Sequence, residues 1–405
     1  MQFFYKNVPS HELAARIAKL QQALAGNDQD GALIVQKTDL FYFSGTSQQG
    51  WLYVPVQGKP ILMIFKEFER ALAESALEEI VSLVGIKKIP EILSSYGYPS
   101  PAVLGMELDV LPTNLYFLYQ KVFDKAKISD ISGEIRLIRA VKSEFEIGKL
   151  RASAALSDKV AARVPELLTA GKTEVTLSGE LEGYARSLGH QGIVRMRMWG
   201  NELFYGHLMA GDAAAVPSYI ASPTGGAGVS GIIGQGAGFR KIGVREPVLV
   251  DYVFALDGYI SDHTRIFSIG SVAGELQRAH AAMLEIQEEV KIQAKPGVVT
   301  GELYEMMIAL AAQKGYQENF MGVGDRKIRF TGHGVGLELD EFPFIAKGQQ
   351  LALQVGMVIA LEPKTIFPGL GVVGIENTHL VTDHGLEPLS KFPDEITVLP
   401  EVQGS

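Results

Sequence analysis

Two apolar hairpins in the last two-fifths of the chain carry carboxylates inside strands that should exclude them. Residues 356–381, GMVIALEPKTIFPGLGVVGIENTHLV, read as an apolar strand, a Pro-Gly turn and a second apolar strand. With Gly369 at the centre of the turn, Glu362 and Glu376 each lie seven residues away and face each other across the pair. Like charges directly opposite on a sheet destabilise it. A partly buried carboxylate costs much more unless a cation or a proton neutralises it, and a cation is the natural remedy.

Residues 248–270, VLVDYVFALDGYISDHTRIFSIG, repeat the arrangement around an Asp257-Gly258 turn signal. That loop sets Asp251 opposite position 264, with Asp262 close by, and a bulge is expected to bring the two acids onto one face. Any one such Asp alone reads as a solvated carboxylate at a strand end. Four acids in two apolar hairpins are harder to dismiss. An imidazole joins them from TGHGVGLELDEFPF, residues 331–344, where glycines flank His333 and let backbone approach a ligand closely. Asp251, Asp262, His333, Glu362 and Glu376, in a chain without cysteine, suit two divalent metal ions such as Mn²⁺, Co²⁺, Fe²⁺ or Zn²⁺.

The order and local spacing of these residues resemble the metal signature of the M24 metallopeptidases. Asp262 follows Asp251 by eleven positions, GHGVG and LEP come next, and IEN places Glu376 fourteen residues after Glu362. This superfamily includes Xaa-Pro aminopeptidases, prolidases and methionine aminopeptidases. IRAVKSEFEIGKLRASAALSD, residues 138–158, resembles the start of the catalytic domain in the Xaa-Pro branch. The resemblance covers nearly the whole chain. It implies an α/β N-terminal domain of the creatinase type, residues 1–140, and an α+β pita-bread catalytic domain, residues 141–405.

Length and composition agree with two domains. A chain of 405 residues exceeds what one core usually serves, and 47% hydrophobic residues allow sizeable cores. A formal charge of −9 offers no basic surface to nucleic acid or an anionic membrane. MQFFYKNVPSHE lacks the pattern of a secretory leader, and no apolar run reaches spanning length, so a cytoplasmic enzyme is expected.

Before residue 140, helical periodicity from His11 to Leu24 is followed by GALIVQK, WLYVPV and PILMIF as strands, a helix near Glu67 to Ser75, and a strand within residues 101–112. In relatives this domain supports dimerisation and closes one side of the active site, so a homodimer is expected. Tyr42, Phe43 and Trp51 are candidates for that wall, with core aromatics as the plainer reading. After residue 143 the pattern of long helix, glycine break, shorter helix and strands occurs twice, at 144–189 and 275–315. This echo fits two halves about a pseudo-twofold axis, each contributing one acidic hairpin.

Two dications can bridge a water, lower its pKa and polarise a substrate carbonyl. By resemblance, Glu362 also moves the proton from that water to the leaving nitrogen, while Asp251 and Glu376 are the strongest bridging ligands. Thr264 and Arg265 follow Asp262 in the order seen in relatives, in a supporting or structural role. His207, in FYGHL, corresponds to the family histidine that steadies the substrate, although a long glycine-rich stretch separates it from Asp251.

Two departures stand out. Seven residues after His333, many relatives carry a second His before Glu, where this chain has Asp340 before Glu341. Proline-specific relatives often have Arg two residues before the last metal Glu, where this chain has Gly374. Both changes are expected to remove positive or donating character near the metals, and Asp340 becomes a candidate base. Gly226, Gly228 and Gly231 also satisfy G-x-G-x-x-G with Asp251 twenty residues on. No amphipathic helix follows to hold a pyrophosphate, so a substrate-side loop is the preferred reading. Three functions remain open: a dinuclear Xaa-Pro peptidase on a small peptide or amide substrate, a hydrolase or lyase for a small non-peptide metabolite, and a silent binding protein. The intact ligand set argues against the third.

Overall fold

The protein is described here by a computed structural model covering residues 8–220 and 222–401. It divides between Arg139 and Ala140 into two compact units. Among the described residues of the first, β1 (Gly31–Ile34), β2 (Gly50–Pro55), β3 (Ile61–Ile64), β4 (Ile80–Ser82), β5 (Val103–Met106) and β6 (Lys127–Asp130) form one sheet in the order β4-β3-β2-β1-β5-β6. β1 pairs antiparallel with β2 and parallel with β5, so the sheet is mixed. The expected first helix spans Ser10–Gly26, and its Leu13, Ile17, Leu20 and Leu24, spaced three and four apart, are buried.

A helix at Lys37–Ser44 is absent from the sequence expectations, and it carries two of the aromatic candidates. Tyr42 and Phe43 are fully buried in this unit, and the Arg16 guanidinium lies 4.1 Å from the Tyr42 ring centroid. Both are core residues, the plainer of the two readings, and are not candidates for an active-site wall. Trp51 is half-buried and donates to the Tyr119 hydroxyl at 2.5 Å.

The second unit begins with the first of the two expected helical pairs, Glu144–Leu167 and Glu174–Ser187. A capping box between Ser143 and Glu146 starts the long helix. The second pair is Gly274–Gln293 and Thr300–Gln313. Strands follow each pair: β7 (Gly206–Ala210), β8 (Val248–Leu256) and β9 (Tyr259–Ile269), then β10 (Phe330–Gly334), β11 (Glu341–Ala346), β12 (Val358–Leu361), β13 (Lys364–Phe367), β14 (Gly371–Gly374), β15 (Glu376–Thr382), β16 (Gly385–Pro388) and β17 (Thr397–Leu399). The main sheet runs β11-β10-β12-β15-β9-β8-β7, with β16 on β15 and β17 on β9, while β13 and β14 form a separate ribbon.

Period-two patterning decides which side of the sheet each residue faces. Val248, Val250, Tyr252 and Phe254 pack with Val160, Val164, Leu177 and Leu181 of the first helical pair. Asp251, between them in sequence, therefore faces away from those helices. The second pair packs in the same way, with Met283, Ile286, Val290 and Met307 against Ile345, Ile359 and Leu361.

Several histidines are enclosed by this packing. His190 and His379 are fully buried, and burial pushes their pKa values down to about 4 and about 3. Each is neutral in the folded chain at a pH where the unfolded chain already binds a proton. Their contribution is therefore present above the ordinary value of 6.5 and is lost as pH falls toward the folded values. Thermal melts should show Tm dropping from about pH 7 to about pH 4.5, and His379→Leu should reduce that drop; an unchanged drop contradicts the assignment for this residue.

Candidate metal centre

The register of the main sheet draws the sequence candidates into one transverse row. His207 on β7 pairs with Asp251 on β8, Asp251 pairs with Thr264 on β9, and Thr264 pairs with Glu376 on β15. Leu361 pairs with Asn377, and Lys364 pairs with Gly374, in one shared register. Glu362 thus falls opposite Glu376, at the break between β12 and β13. The hairpin expected around Gly369 has the anticipated alignment, and the loop Asp257-Gly258 closes β8 onto β9 with positive φ at both residues. The expected bulge is absent: pairing is regular from Val248 with Phe267 to Leu256 with Tyr259. None is needed, because Asp262 lies two residues from Thr264 and already shares its face.

His333, on β10, completes the group. Its Nδ1 lies 3.1 Å from the carbonyl oxygen of Gly334, which can only accept, so Nδ1 carries a hydrogen and Nε2 would present its lone pair to an ion once the ring is neutral. Nε2 stands 3.6 Å from Asp262 Oδ2 and 3.7 Å from Glu376 Oε1. Those separations are long for hydrogen bonds. They are close to the roughly 3.4 Å between two donors sharing an ion on bonds of about 2.1 Å. Asp262, His333 and Glu376 are all buried, and their ligand atoms lie within 4.8 Å of one another. The donor set fits one divalent ion.

Asp251 and Glu362 make a different contact. The ammonium of Lys364, 1% exposed, lies 3.0 Å from Asp251 Oδ2, 3.1 Å from Glu362 Oε2 and 2.7 Å from Glu376 Oε2. Glu376 consequently links two cation positions, with Oε1 toward His333 and Oε2 on Lys364 and on the Thr264 hydroxyl at 3.1 Å. Burial raises the Glu362 carboxyl to about 7 against the pull of Lys364. Burial also works to raise Glu376, but Lys364 and His333 overcome it and hold this carboxyl at about 2. Asp262 is driven well above the carboxylate range by burial and by Glu376 and Asp251. Burial opposes protonation of His333 and Lys364, yet the surrounding carboxylates raise both well above their usual values. Burial raises Asp262 and Glu362, and the positive neighbours lower Glu376, which lies beside both.

With that geometry established, comparison with known proteins places the chain. Residues 148–383 match the metallopeptidase family M24, and residues 16–141 match the creatinase/prolidase N-terminal domain. The chain belongs to metallopeptidase family M24. It is 28% identical to the Xaa-Pro dipeptidase of Pyrococcus furiosus, covering 94% of this chain and 99% of that protein. It is 26% identical to the probable dipeptidase PepE of Mycobacterium tuberculosis, covering 96% of each. Among solved structures, the Xaa-Pro dipeptidase from Bacillus anthracis superposes with a TM-score of 0.81 at 25% identity, covering 96% of this chain and 100% of that one. The prolidase from Pyrococcus horikoshii OT3 gives 0.78 at 25%, covering 94% and 99%. The second unit is the expected pita-bread fold, and the first has the expected α/β architecture.

The departures within this M24 chain now have positions. Asp340, at φ +63°, lines the same cleft as the metal candidates, with Oδ1 3.6 Å from His333 Nδ1. Glu341 is structural: it pairs with Lys142 at 3.0 Å and accepts from the backbone of Leu337 and Glu338. Gly374, at φ +151°, lies opposite Lys364, and a Cβ there would meet the Pro363 carbonyl oxygen at 2.4 Å and Lys364 Cγ at 3.0 Å. The expected loss of positive charge is overturned here, because Lys364 puts an ammonium directly onto three of the acids. Sequence reading passed over Lys364. Its signal was available, since strand alternation puts residue 364 on the same face as Glu362.

His207 is buried in the cleft wall, and its Nε2 has no hydrogen-bond partner among the described residues. Burial lowers its pKa. The long sequence separation from Asp251 is taken up by the glycine-rich segment, which folds back on itself through Gly236 N to Gly225 O at 2.7 Å and Gly228 N to Gly236 O at 3.1 Å. It brings Gln235 into the cleft, and no helix follows the G-x-G-x-x-G spacing. Arg265 is an architectural clamp, bonded to the carbonyl oxygens of Glu376, Phe392 and Pro393 and to Asn377 Oδ1.

Gly374→Ala should displace Lys364 and lower stability by about 2 kcal/mol, the scale of a strained left-handed position plus a steric clash. Chemical denaturation measures this; a variant as stable as the parent removes the space argument.

Proposed function

We infer that this M24 metallopeptidase is a metal-dependent dipeptidase acting on small Xaa-Pro peptides. The observation that carries the reading is the buried Asp262, His333 and Glu376 group, which lines one cleft together with His207, Asp340 and Lys364. The relatives named Xaa-Pro dipeptidase match almost end to end, which supports the substrate class. A bound dication would polarise the scissile carbonyl and acidify water at neutral pH. Mn²⁺, Co²⁺, Zn²⁺ and Fe²⁺ all accept this donor set.

The chain's own residues do the remaining work. Glu362, raised to about 7, can exchange a proton near neutral pH, accepting from the attacking water and returning it to the leaving nitrogen. His207 offers its unpartnered Nε2 to the substrate. Thr264 fixes one Glu376 oxygen through its hydroxyl. The five-residue ligand pattern read from sequence calls for two ions, whereas Asp251 and Glu362 here meet the Lys364 ammonium.

A second reading, a hydrolase or lyase for a small non-peptide substrate, is favoured by Asp340, which puts an extra carboxylate in the cleft wall beside His333. A creatinase-type first domain over residues 1–140, a homodimer and a cytoplasmic site of action complete the proposal. Among the described residues no helix is long and apolar enough to cross a membrane.

The test is a screen of X-Pro dipeptides, longer X-Pro peptides and non-proline amides with chelated and metal-reloaded protein. X-Pro dipeptide turnover that chelation abolishes and metal restores is expected. Metal binding with turnover of non-peptide amides alone transfers the assignment to the second reading. Within an active preparation, Glu362→Gln should lower kcat by about 10² or more, the usual contribution of a general acid-base group. His207→Ala should lower kcat/KM, and full retention would falsify its substrate contact.

A further inference from the structure

We propose that Lys364 takes the place of a second metal ion, so that the centre holds one divalent cation on Asp262, His333 and Glu376, and one fixed ammonium on Asp251, Glu362 and Glu376. The inference rests on the metal-dependent reading above and changes the number of ions.

A protonated lysine has three N–H donors and no lone pair. Lys364 meets three different carboxylates within 3.1 Å, which uses all three donors and leaves nothing with which to ligate a metal. A dication beside Asp251 and Glu362 would have to share their oxygens with this ammonium, and like charges at such distances repel strongly where water is excluded. Among the described residues one group of three suitable ligands lies close enough together to hold an ion, and it includes neither Asp251 nor Glu362.

The backbone gives an independent observation. Lys364 is paired with Gly374, and the position of a Cβ at 374 lies 3.0 Å from Lys364 Cγ. That position is closed chiefly by backbone, the Pro363 carbonyl oxygen at 2.4 Å and Lys364 Cα at 2.6 Å, with the lysine stem beside it at Cγ. Gly374 lets the strand that carries Lys364 approach this closely, and the lysine stem is held against it. That close fit separates a built-in cation from a surface lysine that has merely swung inward.

The experiment uses full-length protein stripped of metal, reloaded with Mn²⁺ and desalted, with metal per chain measured by mass spectrometry and Mn–Mn coupling by electron paramagnetic resonance. The parent should retain one Mn²⁺ per chain with an uncoupled spectrum. Lys364→Ala should retain two with a coupled spectrum. Asp251→Asn should still retain one, because Asp251 serves the lysine, whereas Asp262→Asn should lose the ion. If Lys364→Ala does not fold, the parent and Asp251→Asn decide the matter. Two coupled ions in the parent overturn the inference and leave the peptidase reading standing. So does a single ion in a folded Lys364→Ala, or loss of the ion in Asp251→Asn. One ion in the parent without X-Pro turnover supports the inference and removes the peptidase reading. No ion in the parent removes both.

Discussion

Mutual repulsion among three buried carboxylates and the partly buried Asp251 is the constraint around which the second unit is organised. Asp251, Asp262, Glu362 and Glu376 project from neighbouring strands toward one point, where water cannot screen them. Such a cluster is stable only with cations inside it. Lys364 supplies one from the chain, and His333, held protonated by its neighbours when no metal is present, supplies another. A dication held by Asp262, His333 and Glu376 would take the place of that proton. Folding and metal loading therefore draw on the same electrostatic debt.

The sheet makes this crowding possible. A single row of paired residues crosses β7, β8, β9 and β15, and the break after β12 adds Glu362 to its end. Helical pairs cover the opposite face and hold the strands in register through residues such as Tyr252, Phe254, Ile286 and Met307. A slip of one residue in any strand would turn its acid away from the centre. Buried apolar packing thus fixes the positions of the charged atoms.

Much of this was legible from local pattern. The Asp257-Gly258 and Gly369 turns gave the hairpin alignments, and the apolar runs around the acids gave their burial. The order of ligand types gave the family. What local pattern could not give was contact between elements far apart in sequence. The pairing of β7 with β8 returns His207 to Asp251 across a long glycine-rich segment. Tyr42 and Phe43 read more plainly as core than as pocket, and the helix Lys37–Ser44 that places them inside was not read from the sequence. Lys364 was passed over for a different reason. A lone lysine after a Glu-Pro segment looks like an ordinary solvated charge, and only its burial beside three acids reveals its part. Gly374 was noticed as a missing arginine, but its meaning lay in the residue opposite.

Arg265 ties the centre to residues 392–394, just before β17. Its guanidinium, almost completely buried, joins the backbone of Glu376 to Phe392 and Pro393 and pairs with Asp394 at 2.7 Å. The strand that presents Glu376 to both cation positions is thereby tethered to a stretch with no chemical role of its own. Residues 392–394 do not line the cleft, yet they hold the backbone that carries the carboxylate joining the two charges.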